Sequence, residues 1–255
     1  MKRSVMVGLV AGLVLAGCGG GERTGSGARE RVPVTVLAAA SLTDVFTRLE
    51  PQFEAADPGV DVRFGFGASS DLATQIVNGA PGDVFASADE RQMRVVTDAG
   101  RAAGTPEPFT TNVLTIVVPP GNPKGIRSFA DLAGPGVTEL VCAPQAPCGA
   151  ATERVERATG IELSPASEEP DVRSVLAKVT AGEADAGLVY VTDARSAAGE
   201  VEQIDFPEAG DAVNVYPIVV IEGAPQPRLA EAFVAFVLGP AGRRELTAAG
   251  FTPAS

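Results

Sequence analysis

Four stretches of this 255-residue chain bring a strand-like run to an end and open a helix-like one with small, polar or proline residues: LAAASLTD around Ser41, GFGASSDLATQI around Ser69 and Ser70, APQAPCGAATERV around Cys148, and EEPDVRSVLAKV around Val172. The first turn of a helix carries N–H groups without intrahelical partners, and the helix dipole makes that end positive. Several such ends aimed at one point hold an anion through neutral donors alone. Ser41 with Asp44 three residues on has the pattern of a capping box, Pro147 and Gly149 flank Cys148, and Pro170 and Asp171 precede Val172. Tyr190, closing the run AGLVY, offers a phenolic O–H at a strand end. Each feature alone has an ordinary structural reading, since serine caps helices and proline opens first turns. The chemistry lies in the set.

Composition narrows what that chemistry can be. Twenty Lys and Arg stand against 32 Asp and Glu, a net charge of −12. An acidic surface repels nucleic acid, so no nucleic-acid partner is expected. The same field opposes any anion, which leaves local dipoles to do the binding. The chain contains no His, which excludes serine–histidine triads, histidine bases and His-ligated zinc. No G-x-S-x-G elbow surrounds Ser41 or Ser69, so a serine hydrolase is the disfavoured alternative, and neither catalytic residues nor a cofactor are expected.

The elements that position these residues alternate along the chain. Residues 32–40 form an apolar, β-branched run. Helical spacing follows over 41–56, with Leu42, Val45, Phe46, Leu49 and Phe53 on one face. Strands are expected at 60–66 and 83–87, and helices at 70–77 and 90–99. A second series has strands at 113–118, 139–142 and 186–191, with helices at 126–132, 149–159 and 172–181. A strand over 212–221 and helices over 228–238 and 241–249 complete the chain. Such alternation implies largely parallel sheets covered on both faces. Two series parting near residue 110 suggest two lobes, with the runs 110–118 and 212–221 as the candidates for crossing between them.

The N-terminus reads as an address. Residues 1–17, MKRSVMVGLVAGLVLAG, have the basic start, apolar run and small residues of a secretory signal peptide. Leu15-Ala16-Gly17-Cys18 resembles the lipobox of bacterial lipoproteins, which implies lipidation at Cys18; the alternative is an ordinary signal peptide with a chance cysteine. Residues 18–31 are Gly-rich and polar, as a flexible tether would be. Outside the cytosol, Cys142 and Cys148 are expected to pair as a disulfide, worth roughly 2 kcal/mol in the chain-entropy account.

From about Val34 to Phe251 the chain resembles the periplasmic molybdate-binding proteins of ABC importers. The markers are LAAASLTD, GASSDLATQI, GAPGDVFASAD, PDVRSVLAKV, GEADAGLVYVTDA and VYPIVVIEG, all in order. The resemblance implies an α/β, two-lobed type II periplasmic-binding-protein fold, each lobe a mostly parallel sheet flanked by helices, joined by two crossing strands. Residues 32–110 and 214–255 would form one lobe and 111–213 the other. It also implies an oxyanion, molybdate or tungstate, held as an anion rather than as a bare metal cation. Its donors would be the hydroxyls of Ser41, Ser69 and Tyr190 and the amides of Cys148 and Val172, with Ser70 left open as the alternative to Ser69. Where many members have Ala, this chain has Cys148, so the expected disulfide would stiffen an anion-binding loop. The expected partners are an ABC permease and, through the anchor, the outer face of the cytoplasmic membrane or the periplasm; a monomer is expected. The alternatives are a sulfate or other small-oxyanion binder and a structural or sensing lipoprotein.

Overall fold

A computed structural model describes residues 31–254. The expected signal segment 1–17, the lipidation site Cys18 and all of the tether except Arg31 lie outside the described residues.

The first series runs β1 (Val32–Ala39), a 3-10 turn (Ala40–Leu42), α1 (Thr43–Ala56), β2 (Val60–Gly67), α2 (Ser69–Val77), β3 (Val84–Ala86), α3 (Glu90–Asp98) and β4 (Glu107–Asn112). The second runs β5 (Leu114–Val118), α4 (Phe129–Leu132), β6 (Glu139–Cys142), α5 (Pro147–Thr159), β7 (Ser167–Glu169), α6 (Val172–Thr180), β8 (Ala186–Tyr190), α7 (Val191–Ser196), β9 (Glu202–Ile204) and a 3-10 turn (Pro207–Ala212). The chain then returns through β10 (Asn214–Val220), α8 (Pro227–Leu238), α9 (Pro240–Ala249) and β11 (Thr252–Pro253). Two sheets result, in the orders β11-β4-β10-β3-β1-β2 and β7-β6-β8-β5-β9.

The α/β class and the pair of helix-flanked sheets follow from the alternation, but the sheets are mixed rather than mostly parallel. β1 pairs in parallel with β2 and β3, and β6 with β7 and β8. β10, β4 and β11, like β5 with its neighbours, pair antiparallel. Helical crossovers impose parallel pairing, whereas a strand that enters from the other sheet is free to run the opposite way.

The crossings also differ from expectation. The run 110–118 is two strands broken at Val113, one in each sheet, so the first sheet extends to Asn112 rather than to residue 110. β10 lies wholly in the first sheet, and the return is made at Val213. Register places Asn112 opposite Asn214, so the two crossings run side by side. The three-residue strands β7 and β9 and the short α7 are too brief to register as a period.

The predicted apolar face of α1 is the buried one: Val45, Phe46, Leu49 and Phe53. Phe53 and Phe233 meet edge to face at 5.2 Å, and Phe46 meets Phe233 at 5.9 Å, pinning α1 to α8 beside the first sheet. Each fully buried Phe contributes about 1.5–3 kcal/mol, which fixes the helix that presents the Ser41 turn.

Candidate functional site

β1, β2, β6 and β7 end at one place, and the helical turn that follows each lines a small cavity of about 10 Å³. Ligands of open α/β sheets sit in such a crevice beyond the strand ends. Ser41, Ser69, Cys148, Val172 and Tyr190 all line it, and each is at most 4% exposed. Ser70 is buried but does not line it, and its carbonyl accepts from Thr74 Oγ1. The structure thus brings the five expected residues together and separates Ser69 from Ser70.

Local geometry differs from the capping expectation. Ser41 sits in the 3-10 turn, and the helix starts two residues later with no side-chain cap. Its Oγ lies 2.9 Å from the phenol oxygen of Tyr216. Asp44 turns away from the helix start and pairs with Arg173, because a cation across the cleft is a stronger partner for a carboxylate than a backbone amide. Ser69 likewise is the first residue of α2, not its cap. Its Oγ accepts the Ala88 N–H at 3.0 Å, which leaves its own proton free.

In the second half, Pro147 occupies the first turn of α5 and Cys148 follows it. Cys142, the last residue of β6, is disulfide-bonded to Cys148, with their Cα atoms 5.6 Å apart. Gly149 is required here: a Cβ would stand 2.1 Å from the Ala143 carbonyl oxygen. Asp171 caps α6, its Oδ1 accepting from the N–H groups of Arg173 and Ser174 at 2.8 and 3.0 Å. The N–H of Val172, in the same first turn, is left without a cap. Among the described residues, Asp171 is the only Asp or Glu lining the cavity, and no Lys or Arg lines it.

Tyr190 ends β8 with its backbone N–H directed at Asp193 Oδ2, so only its phenol is available to the cavity. That phenol oxygen accepts from Asn214 Nδ2 at 2.8 Å. The chain's only two tyrosines, Tyr190 and Tyr216, meet here with rings 6.0 Å apart. Burial pushes both hydroxyls well above the ordinary phenol range, so both stay protonated donors at neutral pH. Tyr216, Asn214 and Arg154, which donates to Asn214 Oδ1, were not singled out from the sequence. The only local trace of them is a polar residue and a tyrosine inside the apolar run VNVYPIVVI.

Polar bridges flank the cavity. Arg173 of α6 pairs with Asp44 of α1 and approaches the fully buried Asp193 at 3.0 Å, close in charge but not aligned for a hydrogen bond. Burial pushes the Asp193 carboxyl up to about 7 against the opposing pull of Arg173. On the other side, Arg91 of α3 donates to the carbonyls of Pro144 and Gln145, and Gln92 donates to Gln145. Among the described residues no cluster of His, Cys, Asp and Glu could hold a bare metal ion, and no helix is long and apolar enough to cross a membrane.

Residues 34–252 match the family described as bacterial extracellular solute-binding protein. The chain is 53% identical over 244 residues to the molybdate-binding protein ModA of Mycobacterium tuberculosis, covering 95% of this chain and 94% of that one. Against the Escherichia coli molybdate-binding protein ModA the identity is 32% over 232 residues, covering 86% and 88%. Its structure resembles the periplasmic molybdate-binding protein of Azotobacter vinelandii with a TM-score of 0.77, at 25% identity, over 87% of this chain and all of that one.

Proposed function

Because the chain belongs to the bacterial extracellular solute-binding proteins, we propose that it captures molybdate, and tungstate with it, for an ABC importer. One observation carries this reading: buried hydroxyls and first-turn amides from both sheets line a single cavity that, among the described residues, no Lys or Arg enters. The donors are the hydroxyls of Ser41, Ser69 and Tyr190 and the amides of Cys148 and Val172. Being neutral, they act at contact distance and are indifferent to the acidic field of the whole protein.

The donor set also selects. Ser69 and Tyr190 each have an oxygen lone pair occupied by an N–H, which leaves their protons to the ligand. A fully deprotonated dianion satisfies them all. Phosphate near neutrality brings an O–H, and the carboxylate of Asp171 beside the cavity has Oδ1 committed to the α6 amides, which leaves Oδ2 as the one carboxylate oxygen for it. Where Oδ2 does not reach that O–H, burying it without an acceptor costs about 1–3 kcal/mol, roughly tenfold or more in affinity. Sulfate carries no proton but is smaller than molybdate, so its hydrogen bonds to the same donors are longer.

The halves close over the anion about the side-by-side crossings at Val113 and Val213, and closure presents the occupied form to the permease. The protein acts outside the cytoplasmic membrane as a monomer, and lipid on Cys18 holds it there. The disulfide ties the Cys148 amide to the end of β6, which stiffens that donor. Calorimetric titration with molybdate, tungstate, sulfate and phosphate tests the reading. The two metal oxyanions bind tightest, sulfate is weaker and phosphate weaker still; phosphate binding as tightly as molybdate would overturn the donor-only site.

A further inference from the structure

Asn214 opens β10 where the chain re-enters the first sheet, and it is 1% exposed. Its side-chain amide stands among four groups. Arg154 donates to Oδ1 at 2.5 Å. Nδ2 lies 2.8 Å from the Ala88 carbonyl, 3.4 Å from the Pro147 carbonyl and 2.8 Å from the Tyr190 phenol oxygen. A guanidinium only donates and a carbonyl only accepts, so the amide has a single chemically consistent orientation. Turned over, it would set its NH₂ against the guanidinium and its oxygen against two carbonyls.

That orientation decides the role of Tyr190. Its oxygen meets an N–H and must accept from it, which keeps its one proton for a different partner. The second proton of Nδ2 goes to the Ala88 carbonyl, with the Pro147 carbonyl a longer contact, so the Ala88 carbonyl is engaged by the amide and not by the phenol. Besides the hydroxyl of Tyr216, itself engaged with Ser41, the remaining direction is the cavity that Tyr190 lines.

We propose that Asn214, its amide fixed by Arg154, is a positioning residue that makes the Tyr190 hydroxyl a dedicated donor to the cavity. The inference rests on the reading that Tyr190 donates to a bound oxyanion. The path runs from α5 through β10 to β8, passing from the second half to the first and back.

The test is a pair of double-mutant cycles read by calorimetry with molybdate. Asn214→Leu weakens binding about tenfold when Tyr190 is present, and less than about twofold in a Tyr190→Phe background. Arg154→Met weakens it about threefold with Tyr190 and not at all with Phe, since a freed amide turns over part of the time. Equal losses in both backgrounds would make Asn214 a strut between strands and overturn the proposal. Absence of molybdate binding by the unaltered protein would instead overturn the functional reading, and this inference with it. Thermal unfolding checks each variant, and if Asn214→Leu does not fold, the partly exposed Arg154 pair decides the matter alone.

Discussion

The cavity and the bridges beside it join the same two halves of the molecule with opposite chemistry. At the centre, the donors are hydroxyls and amides, buried and uncharged, with Asp171 the one carboxylate beside them. At the flanks, Arg173 reaches Asp44 and Asp193, and Arg91 reaches the carbonyls of Pro144 and Gln145. A cation at the centre would neutralise any anion regardless of its protonation state, whereas neutral donors count lone pairs and so can reject a protonated one. At the flanks Arg173, Asp44 and Arg91 face water on one side, and they hold the halves together without taking part in that choice. Position, not residue type alone, separates selectivity from closure.

The sharpest way to break this contrast is to put a charge at the centre. Ser69→Asp sets a carboxylate against a dianion and lowers molybdate affinity by a thousandfold or more, about 4 kcal/mol, in a calorimetric titration of folded protein. An affinity within tenfold of the unaltered protein would show that the neutral centre is not where the anion sits.

Removing a flanking charge acts on folding instead. Arg173→Met leaves the buried Asp193 without its cation, and urea unfolding at about pH 8.5, where the carboxyl is otherwise ionised, loses about 3 kcal/mol. Adding Asp193→Asn returns most of that loss, because the uncompensated charge is then gone. A neutral truncation at the centre is milder: Ser69→Ala costs about 2 kcal/mol of binding, near thirtyfold, and little stability.

The pH dependence of folding reports the same buried carboxyl. The pKa of Asp193 is about 7 in the folded protein and 3.8 in an unfolded chain, so the folded state holds the proton more tightly. Its contribution is full below pH 3.8 and is lost as pH rises through about 7. Melting temperature therefore falls by several degrees from pH 5.5 to 8.5, and Asp193→Asn flattens that slope; a slope of the opposite sign would refute the assignment. The smallest effect belongs to Arg91→Ala, whose side chain is 44% exposed. Its bonds to the loop carbonyls compete with water, so molybdate affinity changes by about twofold at most.

Much of the site was legible from local pattern. The four strand-to-helix junctions are runs of a few residues, and the cavity lies where those four junctions meet. The helical face of α1 was equally legible from its spacing. The capping roles of Ser41 and Asp44 were not, because a helix start looks the same in sequence whether its serine caps the helix or bonds to a distant tyrosine. Nor was the mixed pairing of the sheets, since strand direction depends on how the chain re-enters a sheet and not on composition.

By itself the sequence determined the kind of chemistry: no histidine, an acidic balance, and neutral donors at helix starts, all properties of residue type and short spacing. Only the folded chain decided which way the protons point. Ser41 meets Tyr216 across 175 residues, Arg154 meets Asn214 across 60 and Asn214 meets Tyr190 across 24. A hydroxyl is donor or acceptor according to the partner beside it, and these partners are brought together by the two crossings between the sheets.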